Sequence, residues 1–162
     1  MPSPPTDFST QTLSHLNEYI KFADQKASVL LTGQLAFLGL FVNVLDGNWG
    51  GAGIEFKILA AVTIGATLLA GVFAGWVIYP QTEPSGEALL FWENINAESL
   101  DEYESEIKGL DEDAVLGELI EENHLLAEVA SNKYWRLKIS LVSTAGTVFF
   151  ATLSMVSMFW LG

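Results

Sequence analysis

The side chains able to do chemistry are few in this chain, and their spacing argues against covalent catalysis. His15 and His124 lie far apart, and neither has a second ligand at helical spacing, so no zinc site is expected. Cysteine is absent, which excludes disulfides and thiolate metal sites. No nucleophile stands beside a base. The glycine-rich stretch Gly47–Gly53 connects two apolar runs instead of opening a helix after a strand, so it is not a phosphate-binding loop. What remains is charge beside apolar sequence: Asp24 and Lys26 before one long apolar run, and Lys133, Tyr134, Arg136 and Lys138 before another. Such groups form ion pairs, contact headgroups by snorkelling, and join helices. Lys21 and Asp24 are three apart and can pair on a helix surface. Asp24 has two further candidate partners, Lys133 and Arg136. No catalytic residue, metal or cofactor is expected, and the chain does not read as an enzyme.

The elements that must position these charges are set by three uncharged runs. Residues 27–45, 58–79 and 139–161 contain no Asp, Glu, Lys, Arg or His. A helix needs about 20 mostly apolar residues to cross the hydrocarbon core. The expected fold is therefore all-α: three membrane-spanning helices with a small cytoplasmic helical stalk. The lipid bilayer is the first expected partner. The formal net charge of −13, with only seven Lys and Arg, makes nucleic acid an unsuitable partner, since phosphate binding needs clustered cations. The same composition fits either a high-salt cytoplasm or a plain solvated acidic face.

Lys and Arg mark cytoplasmic flanks. Lys21 and Lys26 precede the first span, and Lys133, Arg136 and Lys138 precede the third, whereas the connection 46–57 offers only Lys57. This bias places the N-terminus and segment 80–138 in the cytoplasm and the C-terminus outside. Trp49, Trp76, Tyr79, Trp135 and Trp160 fall near span ends, where amphipathic rings favour the headgroup layer.

Along the chain, residues 1–10, with Pro2, Pro4 and Pro5, read as a disordered tail, and 11–162 as one transmembrane domain. Leu13, Leu16, Ile20, Ala23 and Ala27 form one helical stripe, so a helix from Gln11 is expected to run into the first span. Ala88–Ile95 reads as a short helix. Ser99-Leu-Asp-Glu102 has the form of a capping box, and Asp111 is placed to cap a helix that starts at Glu112 and continues into the third span. On that helix Leu116, Leu119, Asn123, Leu126, Ala130, Lys133 and Leu137 keep a coiled-coil-like seam, which Phe91, Trp92 and Ile95 could cover.

Within the spans, Gly71-x-x-x-Gly75 and the track Ala66, Ala70, Ala74 let backbones approach closely. Packing inside one subunit and an oligomer interface both remain open. The third span carries a mildly polar stripe, Ser140, Ser143, Thr144, Thr147, Ala151, Ser154 and Met158, which suits either helix packing or a pore lining. Gln34 and Asn43 are expected to face protein. No ionisable group lies deep in a span, which argues against proton pumps and ion-coupled transporters.

Three short blocks carry a resemblance: Ala23-Asp-Gln-Lys-Ala-Ser28, Leu89-Leu-Phe-Trp-Glu-Asn-Ile95 followed by Tyr103, and Ala130-Ser-Asn-Lys-Tyr134 with Leu137. In this order and with this span pattern, the chain resembles the transmembrane effector family of Pycsar antiphage systems over about Leu13–Leu161. Glu93 stands where the family pattern has a small residue. The resemblance implies a multi-pass effector of antiviral defence in the inner (plasma) membrane, activated by cyclic CMP or cyclic UMP from a partner nucleotide cyclase, and impairing membrane integrity by a pore or by disruption. A homo-oligomer is expected with it. The expected signal or coupling cluster is Asp24, Lys26, Phe91, Trp92, Lys133, Tyr134 and Arg136. The alternative is a scaffolding membrane protein that recruits a partner through its acidic stalk.

Overall fold

The computed structural model describes residues 3–80 and 99–161, without the side chains of 159–161. All regular structure among these residues is helical: α1 (Pro4–Asn48), α2 (Ile54–Ile78), α3 (Leu100–Gly109) and α4 (Glu112–Leu161). The expected helix over Ala88–Ile95, with Phe91 and Trp92, lies outside the described residues.

α1 corrects the expected N-terminus. The helix begins at Pro4, seven residues ahead of Gln11, so the tail assigned to 1–10 is largely helical. The reason is local. Pro lacks only an N–H that the first turn leaves unbonded, and its fixed φ suits position N1. Ser3 precedes it and accepts from the Asp7 amide through its carbonyl, and Asp7 places a negative charge in the first turn. The α3 capping box is formed as expected: Glu102 N–H donates to Ser99 Oγ and Ser99 N–H to Glu102 Oε2. The hydrogen bonds to Ser99 hold the Glu102 carboxyl below its usual pKa. Asp111 Oδ1 accepts from Ala114 N at 2.8 Å, capping α4 where expected.

The chain forms two compact units. The first takes residues 1–22 and 80–132, and the second takes 23–79 and 133–162. In the first unit, Asn123 Nδ2 donates to the Ser9 carbonyl at 2.9 Å and Ser3 N to Glu112 Oε1 at 3.0 Å, fastening the start of α1 to α4. The seam on α4 faces inward there: Leu119 and Ala130 are buried, and Leu116, Asn123 and Leu126 are half-buried.

The second unit is built inside out relative to a water-soluble bundle. Thr63, Thr67, Ser140, Thr147 and Ser154 are all buried, while Val29, Leu40, Val72 and Val142 lie on the surface. Water would disfavour such a surface, because large contiguous apolar patches are rare on soluble monomers. Lipid favours it. α1, α2 and α4 are each long and apolar enough to cross a membrane, and the chain is an all-α membrane protein.

Its interior is layered. One apolar cluster joins Ala23, Ala27, Ala74, Val77 and Leu137. A second joins Phe41, Leu45, Phe56, Ala60 and Ala151. Between them in sequence, on all three helices, lie the buried polar groups Gln34, Thr63, Thr67, Ser140 and Thr147. Hydroxyls there bond back one turn, Thr67 to Thr63 O and Thr144 to Ser140 O, each at 2.8 Å. Others cross between helices: Ser140 Oγ donates to Ala70 O at 2.8 Å, and Gln34 Nε2 to Thr144 Oγ1 at 2.7 Å. Gln34 thus faces protein as expected. Asn43 does not; it is exposed. Phe41 and Leu45 occupy the buried face of α1, and a residue two positions from each points about 200° away.

Candidate functional site: a three-helix clasp

At one end of the second unit, each spanning helix contributes to a single polar contact. Lys133 on α4 is 5% exposed. Its Nζ donates to Asp24 Oδ1 on α1 at 2.5 Å and to the Val77 carbonyl on α2 at 2.7 Å. The small residues around it make the approach possible: Ala23, Ala27 and Ala74 are fully buried in the adjoining cluster.

Val77 explains why the lysine is held there. The last four carbonyls of a helix have no intrahelical donor, and α2 has no basic residue in its last turn. Gly75 O is satisfied by the Tyr79 amide. Lys133 supplies the donor for Val77 O and places a positive charge at the negative end of the α2 dipole. Asp24 then neutralises that charge, with its own side chain 36% exposed.

The other expected site residues arrange themselves around this clasp. Lys26 Nζ lies 5.9 Å from the centroid of the Tyr134 ring. Arg136 does not reach Asp24; its guanidinium carbon sits 4.7 Å above the Trp76 ring. The helix-surface pair of Lys21 and Asp24 is replaced by the Asp24–Lys133 ion pair. Asp24, Lys26, Lys133, Tyr134 and Arg136 therefore gather in one region of the second unit, while Phe91 and Trp92 lie outside the described residues. Sequence reasoning missed the Val77 carbonyl and Trp76. The signal for the first was available, in a helix end with no basic residue in its last turn.

Among the described residues no group of His, Asp and Glu is arranged to hold a metal ion. The contacts made here are ionic, backbone-capping and cation–π contacts, which hold helices together and can be broken and remade.

A helical membrane protein with a charged clasp at the base of its spans is the class defined by this geometry. Residues 8–160 match the family model described as Pycsar effector protein domain. The chain is 32% identical over 146 residues to the Pycsar effector protein SaPycTM of Staphylococcus aureus, covering 82% of this chain and 84% of that relative. No solved structure matches the chain. The chain belongs to the Pycsar effector protein family, and that membership makes it an effector of antiphage defence.

Proposed function

We propose that the chain impairs membrane integrity when a cyclic pyrimidine nucleotide, cyclic CMP or cyclic UMP, signals infection, and that the clasp of Asp24, Lys133 and Val77 holds its resting arrangement. The observation that carries this reading is the buried polar face between the three spans. Gln34, Thr63, Thr67, Ser140 and Thr147 are sheltered from the apolar surroundings in the closed bundle. Spans that separate or rotate expose that face, and several copies assembled around it line a path for water and ions.

Activation is then a population shift. A signal changes the balance only by binding the open arrangement more tightly than the closed one. Because α1 and α4 each supply residues to both compact units, a signal received by the first unit has two covalent routes to the clasp. The orientation proposed is N-terminus inside and C-terminus outside, from the Lys and Arg that flank the first and third spans.

The test is controlled expression with a membrane-potential dye, with and without cyclic CMP or cyclic UMP. Nucleotide-dependent depolarisation is the expected result. Asp24→Ala and Lys133→Ala are expected to lose nucleotide control of toxicity while inserting at wild-type levels. An unchanged potential under every condition would favour the scaffolding alternative.

A further inference from the structure

We propose that Arg136 and Trp76 form a binding site for the phosphate of an anionic membrane phospholipid, where α4 meets the end of α2. The chain has a net charge of −13 and only seven Lys and Arg. Five of these fall in the second unit, and all but Lys57 stand close in sequence to Asp24 or Lys133: Lys26, Lys133 itself, Arg136 and Lys138, of which Asp24 answers Lys133. Among the described residues, Arg and Lys form ion pairs only through Lys108 with Glu104 and Lys133 with Asp24. Arg136 has no carboxylate there, and its Nη1 is buried without an acceptor. An unsatisfied buried donor on a charged group is costly unless something supplies the acceptor.

The surroundings suit a headgroup. The guanidinium carbon sits 4.7 Å from the centroid of the Trp76 ring, a cation–π contact that uses the face of the indole and none of the N–H donors. Phe73 joins the platform at 6.0 Å from Trp76 and 6.3 Å from Trp135. Trp76 and Trp135 are exposed, at 51% and 62%, and their indole N–H groups are further donors at the depth that tryptophan favours. The exposed faces continue into the span: Val72 and Leu69 lie one and two turns from Trp76, and Val142 two turns from Trp135. A phosphate held by the forked guanidinium lays its acyl chains along these residues. Guanidinium binds phosphate bidentately, whereas an ammonium acts as a point charge.

The experiment uses the full chain, purified into mixed micelles containing equal phosphatidylglycerol and phosphatidylcholine, with retained lipids counted by native mass spectrometry. The wild type is expected to keep one phosphatidylglycerol per chain, preferred over phosphatidylcholine by about tenfold, the equivalent of one charge-assisted hydrogen bond. Arg136→Gln is expected to lose that preference and Arg136→Lys to keep only part of it, while Lys138→Gln retains it. Trp76→Leu, which leaves the arginine in place, is expected to weaken retention as well and guards against a misfolded Arg136 variant. Equal retention of the two lipids by the wild type, full retention by Arg136→Gln, or displacement by millimolar inorganic phosphate would each overturn the lipid assignment. The readout is lipid retention alone, so it is independent of whether the chain depolarises membranes.

Discussion

Lys133 and Asp24, 109 positions apart in the chain, meet at 2.5 Å with unequal burial: the lysine side chain is 6% exposed and the aspartate 36%. That inequality predicts unequal costs. Asp24→Ala leaves a buried ammonium with only a carbonyl partner, and breaking a buried pair in this way costs about 3–5 kcal/mol. Lys133→Met leaves a carboxylate that water can reach and an unfilled Val77 carbonyl, costing about 1–3 kcal/mol. The double variant is expected to be more stable than Asp24→Ala alone. Thermal unfolding in detergent micelles checks the order, and equal losses in the two single variants would contradict it.

Much of this fold is legible in the sequence, because uncharged runs and helical periodicity report directly on helix length and facing. The stripe Leu13, Leu16, Ile20, Ala23, Ala27 is half-buried or buried throughout. What sequence does not contain is the register between helices. Lys133 and Arg136 are one turn apart and equally able to answer Asp24, and only the packing of Ala23, Ala27 and Ala74 selects Lys133 and sends Arg136 to Trp76. Asn43 fails for a related reason. Its polarity asks for a protein neighbour, but Phe41 and Leu45 claim the inward face of α1. The start at Pro4 does have a sequence signal, a serine followed by proline at the first helical position, which outweighs the proline content of residues 1–10.

Gln34 and Thr144 make a second unequal pair. Gln34 Nε2 donates to Thr144 Oγ1, while Gln34 Oε1 is buried without a partner. Thr144→Val strands both ends of the amide and is expected to destabilise by about 1–2 kcal/mol. Gln34→Met removes the unsatisfied oxygen together with the bond and is expected to be nearly neutral. Chemical denaturation of both variants in micelles checks this; a larger loss for Gln34→Met would show that the amide does more than bond Thr144.

The two small-residue tracks on α2 are predicted to differ sharply. Ala74 is fully buried beside Ala23 and Val77, so Ala74→Leu overpacks the cluster and costs about 1–3 kcal/mol. A Cβ added at Gly75 meets nothing within 4 Å. Gly75→Ala is therefore expected to be neutral or to stabilise by up to about 1 kcal/mol through helix propensity. Gly75→Leu is expected to fold normally as well. If it folds but reduces depolarisation, that glycine lies at a contact between copies; if neither property changes, assembly uses another face.

Glu122 in the first unit gives a pH dependence whose sign follows from its surroundings. Its Oε2 is buried with no hydrogen-bond partner, and burial raises its pKa above the ordinary 4.5. The folded state then binds this proton more tightly than the unfolded chain, so the contribution is present in full below pH 4.5 and is lost as pH rises through the folded pKa. Glu122→Gln imitates the protonated form. It is expected to stabilise the first unit at pH 7.5 and to lose that advantage by pH 4.5. The gain stays under about 1 kcal/mol because the carboxyl is only partly withdrawn from water. Glu102 works in the opposite direction: its lowered pKa adds stability above pH 4.5, which falls away in acid. Ser99→Ala removes that contribution together with the α3 cap and separates the two effects. Amide hydrogen exchange of residues 112–132 in wild type and Glu122→Gln, at both pH values, decides the matter. Slower exchange in the variant at pH 7.5 and equal exchange at pH 4.5 is the expected pattern, and slower exchange at both would mean that the glutamine gains a new bond instead of losing a charge.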